Sequence, residues 1–205
     1  MKIVLASRNK KKIEELKKII ETCGLSDKDT LANIRTPDEF SQCKEVEEDG
    51  ATFEANALKK AEYIYECTGI TAVADDSGLE VDALNGAPGV YSARYSGEGA
   101  DDRSNLEKVL HEMDNVPDEN RTARFVCCIA IASAEGVETF TGYVEGRIGT
   151  EPAGENGFGY DPVFYPEGHD RTFAQMSDSE KNSMSHRGRA LEKLRKYIQE
   201  KGIAL

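Results

Sequence analysis

Two adjacent carboxylates, Asp75 and Asp76, follow directly on the apolar run Ala72-Val73-Ala74 and precede Ser77-Gly78. This spacing predicts a buried strand with the pair at its end, where open α/β sheets gather their ligands. Successive strand residues face opposite ways, so the two aspartates are expected to do different work. One can hold Mg²⁺, an ion that takes carboxylates, water and substrate phosphates, while the other orients or deprotonates an attacking water. An Asp-rich turn closed by an Asx hydrogen bond would use the same residues, so their surroundings have to decide.

A complementary cation source lies near the N-terminus. Ser7-Arg8-Asn9-Lys10-Lys11-Lys12 sits between the first predicted strand and the first predicted helix. Exposed backbone N–H groups and the helix dipole favour an anion there. Ser7 and Asn9 can donate to phosphate oxygens and a lysine adds a point charge, but the glycine pattern of a P-loop is absent. An N-cap followed by a solvated basic turn is the plainer reading of the segment taken alone.

Other segments are weaker signals. Glu45, Glu47, Glu48 and Asp49 form a like-charge run of the kind that is usually solvated, though one of them can supply a second carboxylate to a metal. Gly154-Glu155-Asn156-Gly157-Phe158-Gly159-Tyr160-Asp161-Pro162 joins glycines to aromatics and an acid, which lets backbone approach a flat ligand and a ring stack on it; a tight loop with core aromatics fits equally. Lys181, His186 and Arg187 lie around the start of the last helix, where such residues are more often caps or surface pairs. His111 and His169 carry no motif, and zinc-ligand spacing is absent.

The elements that position these groups are read from periodicity. Ile3 to Ala6 is a short strand, and Ile13, Leu16, Lys17 and Ile20 then mark a helix that Gly24 stops. A strand-like stretch from Leu31 to Arg35 precedes the acidic loop, and a helix runs from Thr52 towards Gly69. Asn85 to Gly99 reads as a long loop, and a helix covers Asp101 to Met113. Thr122 to Ala132 and Val137 to Arg147 are β-rich and joined by Ser133-Ala134-Glu135-Gly136, as antiparallel neighbours. A short strand spans Pro162 to Tyr165, Ser177-Asp178-Ser179-Glu180 has capping-box spacing, and Ala190, Leu191, Leu194 and Ile198 share one face of the last helix. Together these predict an α/β fold: a mixed sheet with helices on it.

Composition bounds the function. The 205 residues, 39% hydrophobic and 31% charged, suit one folded domain with room for two lobes, and no repeat or linker stands out. The apolar start ends at Ser7, too short for a signal peptide, and no run reaches membrane-spanning length, so a soluble cytoplasmic protein without a membrane partner is expected. Five cysteines at irregular spacing, Cys23, Cys43, Cys67, Cys127 and Cys128, are expected as thiols in a reducing compartment. A net charge of −12 disfavours nucleic acid, whose binding would show as steep salt dependence.

Five blocks taken together closely resemble the inosine triphosphate pyrophosphatase family: Ser7-x-Asn9-x-x-Lys12, Ala74-Asp75-Asp76-Ser77-Gly78-Leu79, Gly86-Ala87-Pro88-Gly89-Val90-Tyr91-Ser92-Ala93-Arg94-Tyr95, Phe158-Gly159-Tyr160-Asp161-Pro162 and Ser185-His186-Arg187. They occur in that family's order and span nearly the whole chain. The resemblance implies an elongated two-lobed α/β fold with a strongly twisted mixed β-sheet flanked by helices, the active site in the cleft between the lobes, and a homodimer. It makes Ser7 to Lys12 (Ser7, Arg8, Asn9, Lys10, Lys11, Lys12) the triphosphate loop and Lys60 a second phosphate lysine. Asp76 becomes the catalytic carboxylate and a metal ligand, with Asp75 in support and Ser77 as a substrate contact. Glu48 matches the metal-binding glutamate, read without a gap from Thr52-Phe53-x-x-Asn56-Ala57, with Glu47 as the neighbouring alternative. Phe158, Gly159, Tyr160 and Asp161, with Lys181, His186 and Arg187, match the nucleobase pocket, Phe158 being the stacking ring.

The chemistry so implied is Mg²⁺-dependent hydrolysis of ITP, dITP or XTP to the monophosphate and pyrophosphate, water attacking the α-phosphorus while Lys12 and Lys60 neutralise the leaving group. Donors from Lys181, Arg187 or loop N–H groups would accept a 6-keto purine and clash with the amino group of adenine. A nucleotide sensor that binds without hydrolysis would need the same carboxylates and lysines for binding alone.

Overall fold

The computed structural model describes residues 3–22 and 34–201. Cys23, the stop at Gly24 and the part of the second strand before Ile34 therefore lie outside the described residues. The described chain opens with strand β1 (Ile3–Leu5) and helix α1 (Lys10–Thr22), followed by β2 (Ile34–Arg35). Helix α2 (Phe53–Thr68) starts at Thr52, whose hydroxyl accepts from the Ala55 N–H, and stops at Gly69, whose φ of 66° is the left-handed C-cap a glycine supplies without strain. Strand β3 (Ala72–Val81) and helix α3 (Asp102–Glu112), capped by Asp101, come next. Strands β4 (Thr122–Ser133) and β5 (Gly136–Ile148) form the expected hairpin, and β6 (Phe164–Pro166) follows. The chain then forms α4 (Asp178–Met184), capped by Ser177, and α5 (His186–Lys201).

The strands make one six-stranded sheet in the order β2-β1-β3-β4-β5-β6. β1 runs parallel to both β2 and β3, while β5 and β6 are antiparallel, so the sheet is mixed. The α/β class read from the sequence is the class observed.

The chain divides into two compact units: Met1–Asp76, Cys127–Gly142 and Arg187–Leu205 in the first, Ser77–Val126 and Tyr143–His186 in the second. Each has its own apolar core. In the first, Leu16 and Ile19 of α1 and Leu191 and Leu194 of α5 meet Leu5 and Ile129 of the sheet. The 3.6-residue spacing of these helix positions puts them on one face, and each fully buried Leu or Ile contributes about 1.5–3 kcal/mol. In the second, Leu79 and Val81 of β3 join Val109 of α3, Phe125 of β4, and Phe164 and Phe173.

Three sequence expectations are corrected. Asp75 and Asp76 do not end a strand; β3 continues through them to Val81, because Leu79 and Val81 have a second core to enter and the aspartates have buried partners. The strand expected from Pro162 begins at Phe164: Asp161–Val163 is a 3₁₀ turn, as suits a proline with no N–H to give a ladder. Cys43 and Cys67 are joined as a disulfide with Cα atoms 5.9 Å apart, so they are not thiols, while Cys127 and Cys128 are buried free thiols as expected.

Candidate active site

The first unit concentrates charge around Asp75 and Asp76. Alternation along β3 sends the two carboxylates to different partners. Asp75 is 1% exposed and meets the Arg187 guanidinium at 3.0 Å and the Lys12 ammonium at 3.5 Å, from the starts of α5 and α1. Burial alone would raise its pKa, but Lys12, Arg187 and Lys60 together outweigh that and hold the carboxyl well below the usual range. Asp76, 4% exposed, accepts from the Asn56 amide at 2.9 Å and lies 3.8 Å from the Lys60 ammonium, both from α2. Its pKa is raised: burial dominates, Glu48 adds to it, and Lys60, Lys12 and Asn56 only partly offset them.

Lys60 ties this group together. Its ammonium donates to Glu48 Oε1 at 2.5 Å and to the Asp75 carbonyl at 2.6 Å. Burial pulls its pKa down, yet the charges of Asp76, Asp75 and Glu48 raise it overall, so it stays cationic. Of the two glutamates left open by the sequence, Glu48 is half-buried and reaches Lys60, whereas Glu47 is exposed. The segment bearing Glu48 is fastened to α2 along its length: Cys43 to Cys67, the Lys44 N–H to the Tyr63 hydroxyl, Asp49 to Lys59, and the Gly50 N–H to Asn56. Asp76 and Glu48 are oxygen donors around one ammonium, a set that suits a hard cation bound by one or two carboxylates together with substrate phosphates. Among the described residues there is no cluster of three or more His, Cys, Asp or Glu that would cage a metal without such help.

The Ser7–Lys12 segment forms the cap of α1. Asn9 Oδ1 accepts from the Lys12 N–H and Ser7 Oγ from the Asn9 N–H, both at 3.2 Å. Capping and cradling are compatible, since the Asn9 amide nitrogen remains a donor while its oxygen caps. Lys10 and Lys11 are exposed, and Arg8 is drawn aside to the Cys43 carbonyl (3.1 Å) and Asp38 (3.0 Å).

A second group of predicted residues gathers in the other unit. Asp161, 2% exposed, accepts from the Phe158 N–H at 2.8 Å and from the Lys181 ammonium at 2.7 Å. Lys181 in turn lies 5.0 Å from the centre of the half-buried Phe158 ring. Gly157 makes this turn possible, for a Cβ there would meet Asp161 Oδ2 at 2.1 Å, and its φ is 74°. Gly159 is half-buried beside Phe158, and Ser77 is half-buried on β3. His186 is 5% exposed and stacks on Phe125 at 4.8 Å.

Two further residues of the nucleobase set implied by the resemblance have protein partners of their own. Tyr160 is buried with its hydroxyl donating to the Ser92 carbonyl at 2.8 Å, so it anchors the Gly89–Arg94 turn. Arg187 belongs to the first unit, is 1% exposed, and divides its guanidinium between Glu15 and Asp75. A guanidinium so placed braces two carboxylates. Sequence reasoning missed Glu15 and Asn56. Glu15 is one charge among many in a helix rich in Lys and Glu, which gave no signal; Asn56 stood only inside a motif.

The model of the Ham1 family matches residues 3–197 of this chain. The chain belongs to the Ham1 family. It is 52% identical over 194 residues to a dITP/XTP pyrophosphatase of Desulforamulus reducens, covering 94% of this chain and 93% of that one. A dITP/XTP pyrophosphatase of Bacillus subtilis is 45% identical over 197 residues, 96% of each. Among solved structures, a HAM1 protein from Coxiella burnetii superposes with a TM-score of 0.86 at 42% identity, covering 98% of this chain and 99% of that one. The Ham1 protein of Staphylococcus aureus gives 0.85 at 41%, with 98% and 100% covered. The family read from the five sequence blocks is the family found.

Proposed function

We propose that this protein hydrolyses non-standard purine nucleoside triphosphates, ITP, dITP and XTP, to the monophosphate and pyrophosphate, and so clears deaminated purines from the nucleotide pool. The observation that carries this is the pair of adjacent buried carboxylates, Asp75 on Lys12 and Asp76 beside Lys60, in a chain whose relatives are dITP/XTP pyrophosphatases.

Asp76 orients the attacking water and takes its proton, while Asp75 is engaged by Arg187 and Lys12. The water oxygen bonds to the α-phosphorus, the bond to the bridging oxygen breaks, and pyrophosphate leaves with that electron pair. Lys12 and Lys60 neutralise the charge that collects on it. Asp76 and Glu48 are the residues that would hold Mg²⁺, which when bound polarises phosphate oxygens. The segment Ser7–Lys12 takes the distal phosphates, and Ser77 touches the substrate next to them.

The base falls to Phe158, Gly159, Asp161, Lys181 and His186, with Tyr160 holding the neighbouring turn. Phe158 offers a ring to stack on. The Lys181 ammonium and loop N–H groups, being donor-only, favour the 6-keto acceptor of hypoxanthine and xanthine over the amino group of adenine. The family resemblance further supports a cytoplasmic homodimer acting on free nucleotides and not on nucleic acid.

The test is pyrophosphate release from ITP, XTP, dITP, ATP and GTP, with Mg²⁺ and with chelator. Release from the non-standard substrates alone, and only with Mg²⁺, is expected. Equal turnover of ATP and GTP would remove the pool-cleansing role, and no turnover of any would remove the enzyme.

A further inference from the structure

Asn56 is 1% exposed on α2, and its side chain bridges two groups. The Gly50 N–H can only donate, so the amide oxygen faces it, at 2.8 Å; the amide nitrogen must then face Asp76 Oδ2, at 2.9 Å. Gly50 lies two residues beyond Glu48, so one amide fixes both the backbone that carries Glu48 and the carboxylate oxygen of Asp76. The backbone is pressed close: a Cβ on Gly50 would stand 2.6 Å from Asn56 Oδ1 and 3.0 Å from Ala55 Cβ. Lys60, one helical turn on, supplies charge to the same two carboxylates but, as a flexible point charge, does not fix the rotation of either.

We propose that Asn56 is a positioning residue: by joining Gly50 to Asp76 it holds the Asp76 and Glu48 carboxylates in the relative setting that the divalent ion and the attacking water require. The inference rests on the reading of Asp76 as the catalytic carboxylate. Asn56 itself touches neither substrate nor ion.

The experiment compares Asn56→Asp, Asn56→Ala, Gly50→Ala, Thr52→Ala and Asp76→Asn in the full chain. It reads kcat and KM for ITP with Mg²⁺, Mn²⁺ affinity of the substrate-free protein by electron paramagnetic resonance, and the melting temperature. Asn56→Asp keeps the acceptor for Gly50 but sets oxygen against oxygen at Asp76. A hydrogen bond to a charged group governs roughly 10- to 150-fold, so kcat falls by that order with KM within about threefold, and Mn²⁺ binding weakens. Gly50→Ala, which pushes a methyl onto the amide without altering α2, acts in the same direction and stands in if an Asn56 variant does not fold. Thr52→Ala removes the cap of the same helix, lowers the melting temperature and leaves kcat and Mn²⁺ affinity alone.

Asn56 and Gly50 variants that match Thr52→Ala in kcat and Mn²⁺ affinity would overturn the inference. Full turnover by Asp76→Asn would instead overturn the reading beneath it.

Discussion

Arg187 has two readings, a base contact by resemblance and a brace between carboxylates by its ion pairs, and its replacement separates them. The guanidinium is 1% exposed, with Nη1 on Glu15 and Nη2 on Asp75, side chains that are themselves 10% and 0% exposed. Arg187→Leu keeps the volume roughly apolar but takes the guanidinium from two buried carboxylates, while Lys12 stays 3.5 Å from Asp75. Removing one partner of a buried ion pair costs about 3–5 kcal/mol, because the other charge stays buried. At about 2–4 °C per kcal/mol for a chain of this size, the melting temperature should fall by roughly 6–20 °C. Glu15→Leu combined with Arg187→Leu should be less destabilising than the sum of the two singles, since one orphaned charge disappears with its partner. The assay is thermal unfolding by circular dichroism alongside kcat/KM for ITP and GTP. The expected result is a lowered melting temperature with the ITP-to-GTP ratio within about threefold of the parent, the precision at which a lost base contact of about 1 kcal/mol would show. A melting temperature within 2 °C of the parent (about 0.5–1 kcal/mol) together with collapse of that ratio would refute the brace and return the guanidinium to the base.

Two further outcomes follow from the second unit. Phe158→Ala should lower kcat/KM for ITP by about 5- to 150-fold, the range for one base–aromatic stack of about 1–3 kcal/mol, without altering the Mg²⁺ requirement; steady-state kinetics that show less than a twofold change would place the base elsewhere. Glu180, in the capping box of α4, accepts from the Ser177 N–H, Arg171 and the Ser177 hydroxyl, which bring its pKa down from 4.5 to about 2. A carboxyl depressed on folding stabilises fully above its unfolded pKa and loses that contribution as pH falls through the folded one, so the cap should weaken between about pH 4.5 and 2. Carboxyl-carbon NMR should find a midpoint near 2, moving back towards 4.5 in Ser177→Ala; a parent midpoint near 4.5 would contradict the cap.

The helices, the hairpin and the family were legible because their signals are local or repeated. Leu16, Leu191 and Leu194 recur at helical spacing, Thr52 and Gly69 mark the two ends of α2, and Ala134-Glu135 leaves room for one tight turn only. What was not legible depends on partners distant in sequence. β3 runs through Asp75 and Asp76 because Arg187, Lys12, Asn56 and Lys60 meet them there, and no window of sequence contains those contacts. The Cys43–Cys67 bond spans 24 residues in a chain with an odd number of cysteines, which leaves pairing open from spacing alone. The Tyr160 hydroxyl donates to the Ser92 carbonyl 68 residues away, a partner that no local reading of a glycine loop contains.

The side-by-side placement of Asp75 and Asp76 now has a physical reason. A strand turns consecutive side chains to opposite faces, so two carboxylates one residue apart can be given unlike environments while their backbones stay in register. Lys12, Arg187 and Lys60 overcome the cost of burial and hold Asp75 ionised; at Asp76 burial and Glu48 prevail over Lys60, Lys12 and Asn56, and its pKa is raised. Titratable pairs whose environments push their pKa values apart are how one site assigns a fixed anion and a proton acceptor. Asp75 is thus the counter-charge of Lys12 and Arg187, and in the proposed reaction the proton exchange falls to Asp76. An inserted residue between them would turn both to the same face and erase that division, which is why the motif works as adjacent residues on a continuous strand.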